Sequence, residues 1–151
     1  MLVVHTLTQD RIAPCAMQLR EADQAELDAA GVEDVPGMLS EAVPACSWAH
    51  VAEWNGRPVF MYGVRPLPGG EVGVPWMLST VHLEQAERIA VARLARSVVA
   101  RMRSEFHVLT NIIHAENPDA IKFVEWLGFE VSDKRTGPEY QFRQFIWRRD
   151  V

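Results

Sequence analysis

The chain has 151 residues, 48% hydrophobic and 23% charged, with no repeat or low-complexity tract, a composition expected of one soluble domain with one sizeable core. Its net charge of −5 argues against a nucleic-acid binder working through bulk charge, and no apolar run approaches bilayer-spanning length. Cys15 and Cys46 are too few for a disulfide framework and lack metal-type spacing, so they read as free thiols; with no secretory signal visible, the expected location is the cytoplasm.

Leu2 to Leu7 reads as a short strand. Thr8 to Ala30 has helical composition, with Thr8 or Asp10 as a cap, Gly31 as a stop, and Pro14 either near the helix start or splitting off a first short turn. Its second part, Arg20 to Gly31, is charged on most faces and is expected to be a solvated helix. Val32 to Pro44 reads as a loop with one helical turn.

From Ser47 the period changes to two. Ser47 to Trp54 and Arg57 to Arg65 are strands joined at Asn55-Gly56, a type I′ hairpin signal. After a second turn at Pro66 to Gly70, Glu71 to Thr80 completes an antiparallel meander, with Pro75 in mid-strand predicting a bulge or bend there. Leu83 to Phe106 is the longest helix. Its arginines (Arg88, Arg93, Arg96, Arg101 and Arg103) form a basic face expected to be solvated, and secondarily a contact for acidic partners.

His107 to Val131 reads as strand, cap, helix, stop, strand. Asn117 is placed to N-cap the helix with Pro118 in its first position. Ala120, Ile121, Val124 and Leu127 give a core-facing stripe, and Gly128 ends it in the left-handed conformation before Phe129 opens the next strand. A polar turn from Ser132 to Glu139 leads to a last strand, Tyr140 to Arg148, with aromatics on both faces. The order predicts an α/β fold with a mostly antiparallel central sheet flanked by helices, and one parallel crossover into the His107 strand.

This order, and above all Asn117 to Phe129 (NPDAIKFVEWLGF), resembles the GCN5-related N-acetyltransferase (GNAT) superfamily. A second resemblance is to the phage-encoded internal virion protein A of podoviruses. It rests on Ala29 to Glu33, on Asn117, Ile121 and Phe123, and on Gln141-Phe142 with Phe145-Ile146, none of which is a catalytic signature.

The GNAT resemblance implies acetyl-CoA as cofactor, held at Leu78, Ser79, Thr80, Gln85, Arg88, Ala90 and Asn117 where it binds at all. The family's pyrophosphate loop, Gln/Arg-x-x-Gly-x-Gly/Ala, falls here on Gln85 to Ala90, and Arg88 stands where the central glycine belongs. Glu84 and Glu87 in the same turn would repel a pyrophosphate. Arg88 either binds phosphate by charge or belongs to a plain solvated helix start. The family's acid, a tyrosine seven residues after the asparagine, is replaced by Val124. The candidates for a base are His82, His114 and Glu116, with His50 and Glu53 weaker, and each has a structural reading as a solvated strand-end residue. Ser79 and Thr80 serve equally as ligand contacts or as linkers. Two functions follow. The first is a phage-encoded, non-catalytic accessory of virion assembly or host interaction, binding phage or host proteins and possible as a homodimer. The alternative is an acyl-CoA-dependent N-acyltransferase with a modified loop. Neither involves nucleic acid, a membrane segment or a metal.

Overall fold

The computed structural model describes residues 1–80 and 83–150. Seven strands form one sheet: β1 (Leu2–Thr6), β2 (Trp48–Trp54), β3 (Arg57–Pro66), β4 (Val72–Ser79), β5 (Val108–His114), β6 (Glu130–Thr136) and β7 (Phe142–Arg148), in the spatial order β1-β2-β3-β4-β5-β7-β6. Five α-helices accompany them: α1 (Gln9–Ala16), α2 (Glu21–Ala29), α3 (Val35–Ala42), α4 (Gln85–Glu105) and α5 (Pro118–Trp126). Every neighbouring pair is antiparallel except β4 and β5.

The two faces of the sheet carry separate cores. On one, Phe60, Tyr62 and Val64 of β3 pack under Val91, Ala95, Val98 and Met102 of α4, joined by Ile121 of α5. On the other, Val51, Met61 and Leu78 pack under Ile12 and Cys15 of α1 and Val35 and Leu39 of α3. Burial of these side chains, at about 25 cal/mol per Å² of apolar surface, drives the two layers onto the sheet.

Several sequence expectations hold. Asn55 (φ 51°) and Gly56 (φ 82°) form the β2–β3 turn. The Asn117 side chain accepts the Ala120 N–H, and Pro118 occupies the first turn. Gly128 sits at φ 100° while the Phe129 N–H reaches back to the Val124 carbonyl at 3.0 Å, a left-handed helix stop that a side chain would strain.

Other expectations need correction. The β3–β4 register runs unbroken through Val64↔Pro75, so there is no bulge at Pro75; the irregularity lies at Ala52/Glu53 in β2. Main-chain bonds from Thr80 N–H to Val59 O and from Leu67 N–H to Val72 O fix the ladder's parity, and on that parity the missing Pro75 donor faces away from β3. Val32 to Pro44 contains a two-turn helix, α3, capped by Asp34 through the Gly37 N–H. Most of the expected polar turn after Val131 is strand β6, paired with β7. The basic face of α4 is not merely solvated: Arg101, Arg96 and Arg103 lie over the rings of Trp48, Trp126 and Trp147 at 4.1, 4.6 and 5.1 Å. Both cysteines are free, Cys15 buried and Cys46 half-buried. No helix among the described residues is long and apolar enough to cross a membrane, and no cluster there could hold a metal ion.

Candidate functional site

β4 and β5 pair at only two positions, Val72↔Val108 and Gly73↔Leu109, and then part. The parity of each outer ladder decides which main-chain groups face the gap. On β4 they belong to Pro75, Met77 and Ser79. On β5, bonds from Arg149 N–H to His107 O and from Ala115 N–H to Gln141 O turn Thr110, Ile112 and His114 toward the gap. Without water or ligand these groups need partners, since an unpaired buried amide costs about 1–3 kcal/mol.

Three side chains partner four of them. At the narrow end, Asn111 Nδ2 donates to Pro75 O at 2.8 Å while its Oδ1 accepts the Ile112 N–H at 2.8 Å. At the wide end α2 reaches both strands. Asp23 Oδ2 accepts the Ser79 N–H at 2.7 Å, and Glu26 Oε1 accepts the His114 N–H at 2.7 Å. The Arg20 N–H completes the β4 side by donating to Ser79 O at 2.9 Å. Met77, between Pro75 and Ser79, presents its own N–H and C=O to the gap.

A cavity of about 900 Å³ fills this gap and passes through the sheet. On the α4/α5 face its wall includes Leu83, Arg88, Ala92 and Phe123; on the α2/α3 face it includes Leu27, Ala30, Met38 and Trp76. Asp23 is 5% exposed and ion-paired with Arg20 at 2.9 Å. Glu26 lies on the same wall, where burial pushes its carboxyl above the ordinary carboxylate range. The charge of Asp23 adds to that push, whereas the His114 N–H, the His114 ring and Arg20 oppose it.

The sequence candidates scatter around this cavity. Leu78, Ser79, Thr80 and Arg88 line it. Gln85 is exposed in the first turn of α4, and Ala90 is half-buried on the same helix. Asn117 is 5% exposed at the head of α5, and its Nδ2 has no hydrogen-bond partner among the described residues. His114 gives its main-chain N–H to Glu26 while its ring packs on Phe142 at 5.7 Å. Glu116 stands away on the surface, ion-paired with Arg135. His82 lies outside the described residues. Of the weaker pair, Glu53 is tied to His5 and Arg11, and His50 stacks on Trp48 under α4.

Sequence reasoning missed Asp23, Glu26, Asn111 and Met77. The expected solvated helix from Arg20 to Gly31 instead turns Asp23 inward and sets Glu26 on the cavity wall. A signal existed: Arg20, Asp23, Leu27 and Ala30 recur at three- and four-residue intervals, which puts them on one face. The repulsion expected from Glu87 is also removed, because its buried carboxylate is paired with Arg57 of β3.

No protein-family model matches the chain, and no curated protein sequence matches it. Solved structures do. It is similar over 98% of its length to aminoglycoside acetyltransferase AAC(6')-Ib in complex with ribostamycin and coenzyme A, with 15% identity, 93% of that chain covered and a TM-score of 0.72. It is similar to smu.2055 from Streptococcus mutans UA159, with 12% identity, 97% and 98% of the two chains covered and a TM-score of 0.73. It is also similar to an acetyltransferase (GNAT family) from Bacillus anthracis, with 10% identity, 96% and 92% covered and a TM-score of 0.67. Nothing in these comparisons supports kinship with internal virion protein A or a virion-accessory role. At these identities the likeness is one of architecture, and that architecture is the GNAT acyltransferase fold.

Proposed function

We propose that the protein is an acyl-CoA-dependent N-acyltransferase working across the gap between β4 and β5. The observation that carries this reading is the cavity through the sheet, with main-chain groups of Met77 on its edge and the half-buried carboxylate of Glu26 on its wall.

The residues present fit CoA. Glu84 at the N-cap of α4 makes no side-chain capping bond, so the first-turn N–H groups remain for an anion, and Arg88 adds a full charge on the cavity rim. The unpartnered Nδ2 of Asn117 suits an amide carbonyl of the pantetheine arm, and Met77 offers a strand edge to the same arm. The AAC(6')-Ib structures with coenzyme A or acetyl-CoA lend support to a CoA ligand on this fold. Bound acyl-CoA supplies a thioester: an N–C bond forms as the C–S bond breaks, and the proton shed by nitrogen ends on sulfur.

Glu26 is the residue placed to take the amine's proton. Its raised pKa brings it closer to neutral pH, where a base is most useful, and such catalysis contributes about 10²–10⁴-fold. Asp23 cannot share this role, since both its oxygens are engaged by Arg20 and the Ser79 N–H. No tyrosine donates to the departing sulfur: Val124 lines the cavity, Tyr62 is buried beneath α4 and Tyr140 is on the surface. A thiolate leaves without a dedicated acid.

Calorimetric titration with acetyl-CoA tests the reading. Saturable micromolar binding is expected, with a stabilisation of about 2.7 kcal/mol at a hundred times Kd. Absence of heat and of any thermal shift at millimolar acetyl-CoA would overturn it.

A further inference from the structure

Building on the acyltransferase reading, we infer that the acyl acceptor is a small primary amine with a single cationic group on an uncharged, apolar body. The α2/α3 half of the cavity is walled by Leu27, Ala30, Met38, Leu39, Trp76 and Phe142. Among the described residues three charged side chains reach that wall: Arg20, Asp23 and Glu26. Asp23 is spent, with Oδ1 held by Arg20 at 2.9 Å and Oδ2 by the Ser79 N–H at 2.7 Å. Glu26 gives Oε1 to the His114 N–H, and its Oε2 makes no hydrogen bond among the described residues. The chamber therefore has one carboxylate oxygen to offer one ammonium. A second ammonium would sit desolvated against aliphatic and aromatic carbon with the Arg20 guanidinium nearby, which is costly without a partner.

Size points the same way. The 900 Å³ is shared by both faces of the sheet, so an acceptor has only part of a volume that already lies within the range of single ligand pockets, about 300 to 1,000 Å³. An apolar body in that half displaces water from the walls, and the lone carboxylate fixes which end enters first. The reaction balances with the acyl thioester alone: the bound ammonium first gives one proton to Glu26, the lone pair so freed makes the N–C bond as the C–S pair leaves on sulfur, the second N–H proton ends on that sulfur, and Glu26 returns its proton to solvent.

The experiment is a pair of calorimetric titrations, 2-phenylethylamine and spermidine, on the protein alone and saturated with unacylated CoA, with thiol release from acetyl-CoA measured in parallel. The expected result is that 2-phenylethylamine binds at least about tenfold tighter than spermidine in both states, and that only 2-phenylethylamine accelerates thiol release. Ala30 is exposed on the cavity wall one turn beyond Glu26, so Ala30→Glu adds a second carboxylate there without disturbing the core. It should narrow the preference by about tenfold. Equal or tighter binding of spermidine, absence of binding by either amine, or a preference unmoved by Ala30→Glu overturns the inference. If 2-phenylethylamine binds and acetyl-CoA does not, the acyltransferase reading fails and the apolar-amine chamber stands. If acetyl-CoA binds and the amine preference is reversed, the acceptor class alone fails.

Discussion

Glu26 on α2 accepts the main-chain N–H of His114, 88 positions further along the chain, at 2.7 Å. Three residues earlier on the same helix, Asp23 does the same for Ser79 on the opposite strand. One helix thus ties both sides of the gap, and its two carboxylates divide the work: the fully engaged one holds structure, and the half-engaged one keeps an oxygen for chemistry.

Glu26→Gln separates these duties. The amide oxygen can still accept the His114 N–H, so the fold and acetyl-CoA affinity should be unchanged, while kcat falls by about 10²–10⁴. A kcat within twofold of the parent would remove Glu26 from the reaction. The pH behaviour follows from its raised pKa, set by burial and the charge of Asp23 against the His114 N–H, the His114 ring and Arg20. The folded protein keeps this proton to higher pH than the unfolded chain does. Stability contributed by Glu26 therefore falls as pH rises from the ordinary carboxylate range to the raised value, then levels, whereas kcat/KM rises through that value. Urea melts across pH should show a shallower decline in Glu26→Gln.

Asp23→Ala should be structural in effect. It leaves the Ser79 N–H and the Arg20 guanidinium without their partner, at about 1–3 kcal/mol. A lower urea midpoint with unchanged m is the expected signature, and Asp23→Asn, which keeps an acceptor, should recover part of the loss.

At the head of α4, Arg88 and Glu84 act on an anion with opposite signs, both exposed. Arg88→Ala should weaken acetyl-CoA about tenfold or more, and Glu84→Gln should tighten it by a few-fold, each with melting temperature unmoved. Matched titrations of CoA and of dephosphorylated pantetheine would localise both effects to the phosphates; equal effects on pantetheine would contradict the placement.

Much of the fold was legible in the sequence because its signals are local. Asn117, Pro118 and Gly128 specify a helix within a dozen residues, and Asn55-Gly56 specifies a turn within two. The site was less legible because its determinants are pairings between distant segments. Nothing in the local pattern of β4 and β5 says that they stop pairing after two residues, and a mid-strand proline predicts a bulge or bend when parity, set by β3, decides its consequence. Glu87 looked like a repulsive charge because Arg57 is 30 residues away in sequence. The charges of α2 looked solvated because the strand amides that engage two of them lie 56 and 88 residues further on.

Gly128→Ala tests the most legible feature. At φ 100° a side chain is strained by about 1–2 kcal/mol, and the added Cβ would collide with Arg103 Nη2, which donates to the Leu127 carbonyl at 2.7 Å. A loss of at least about 1 kcal/mol in chemical denaturation is expected, with acetyl-CoA affinity retained in the folded fraction.

The two-residue pairing of β4 with β5 also bears on how the molecule assembles. All strand partners of β1 to β4 apart from that contact lie within residues 2–79, and all those of β5 to β7 within 108–148. Each half can form its ladders within itself, and the seam between them, held by Asn111 and Glu26, adds the 88-residue closure of Glu26 onto His114, longer than any strand pairing within either half. The seam should accordingly close late. In stopped-flow chevrons Asn111→Ala should speed unfolding and leave the refolding arm nearly unmoved; a slowed refolding arm would instead place the seam in the folding nucleus. The same weak join that leaves room for a ligand would then set how long the native state survives.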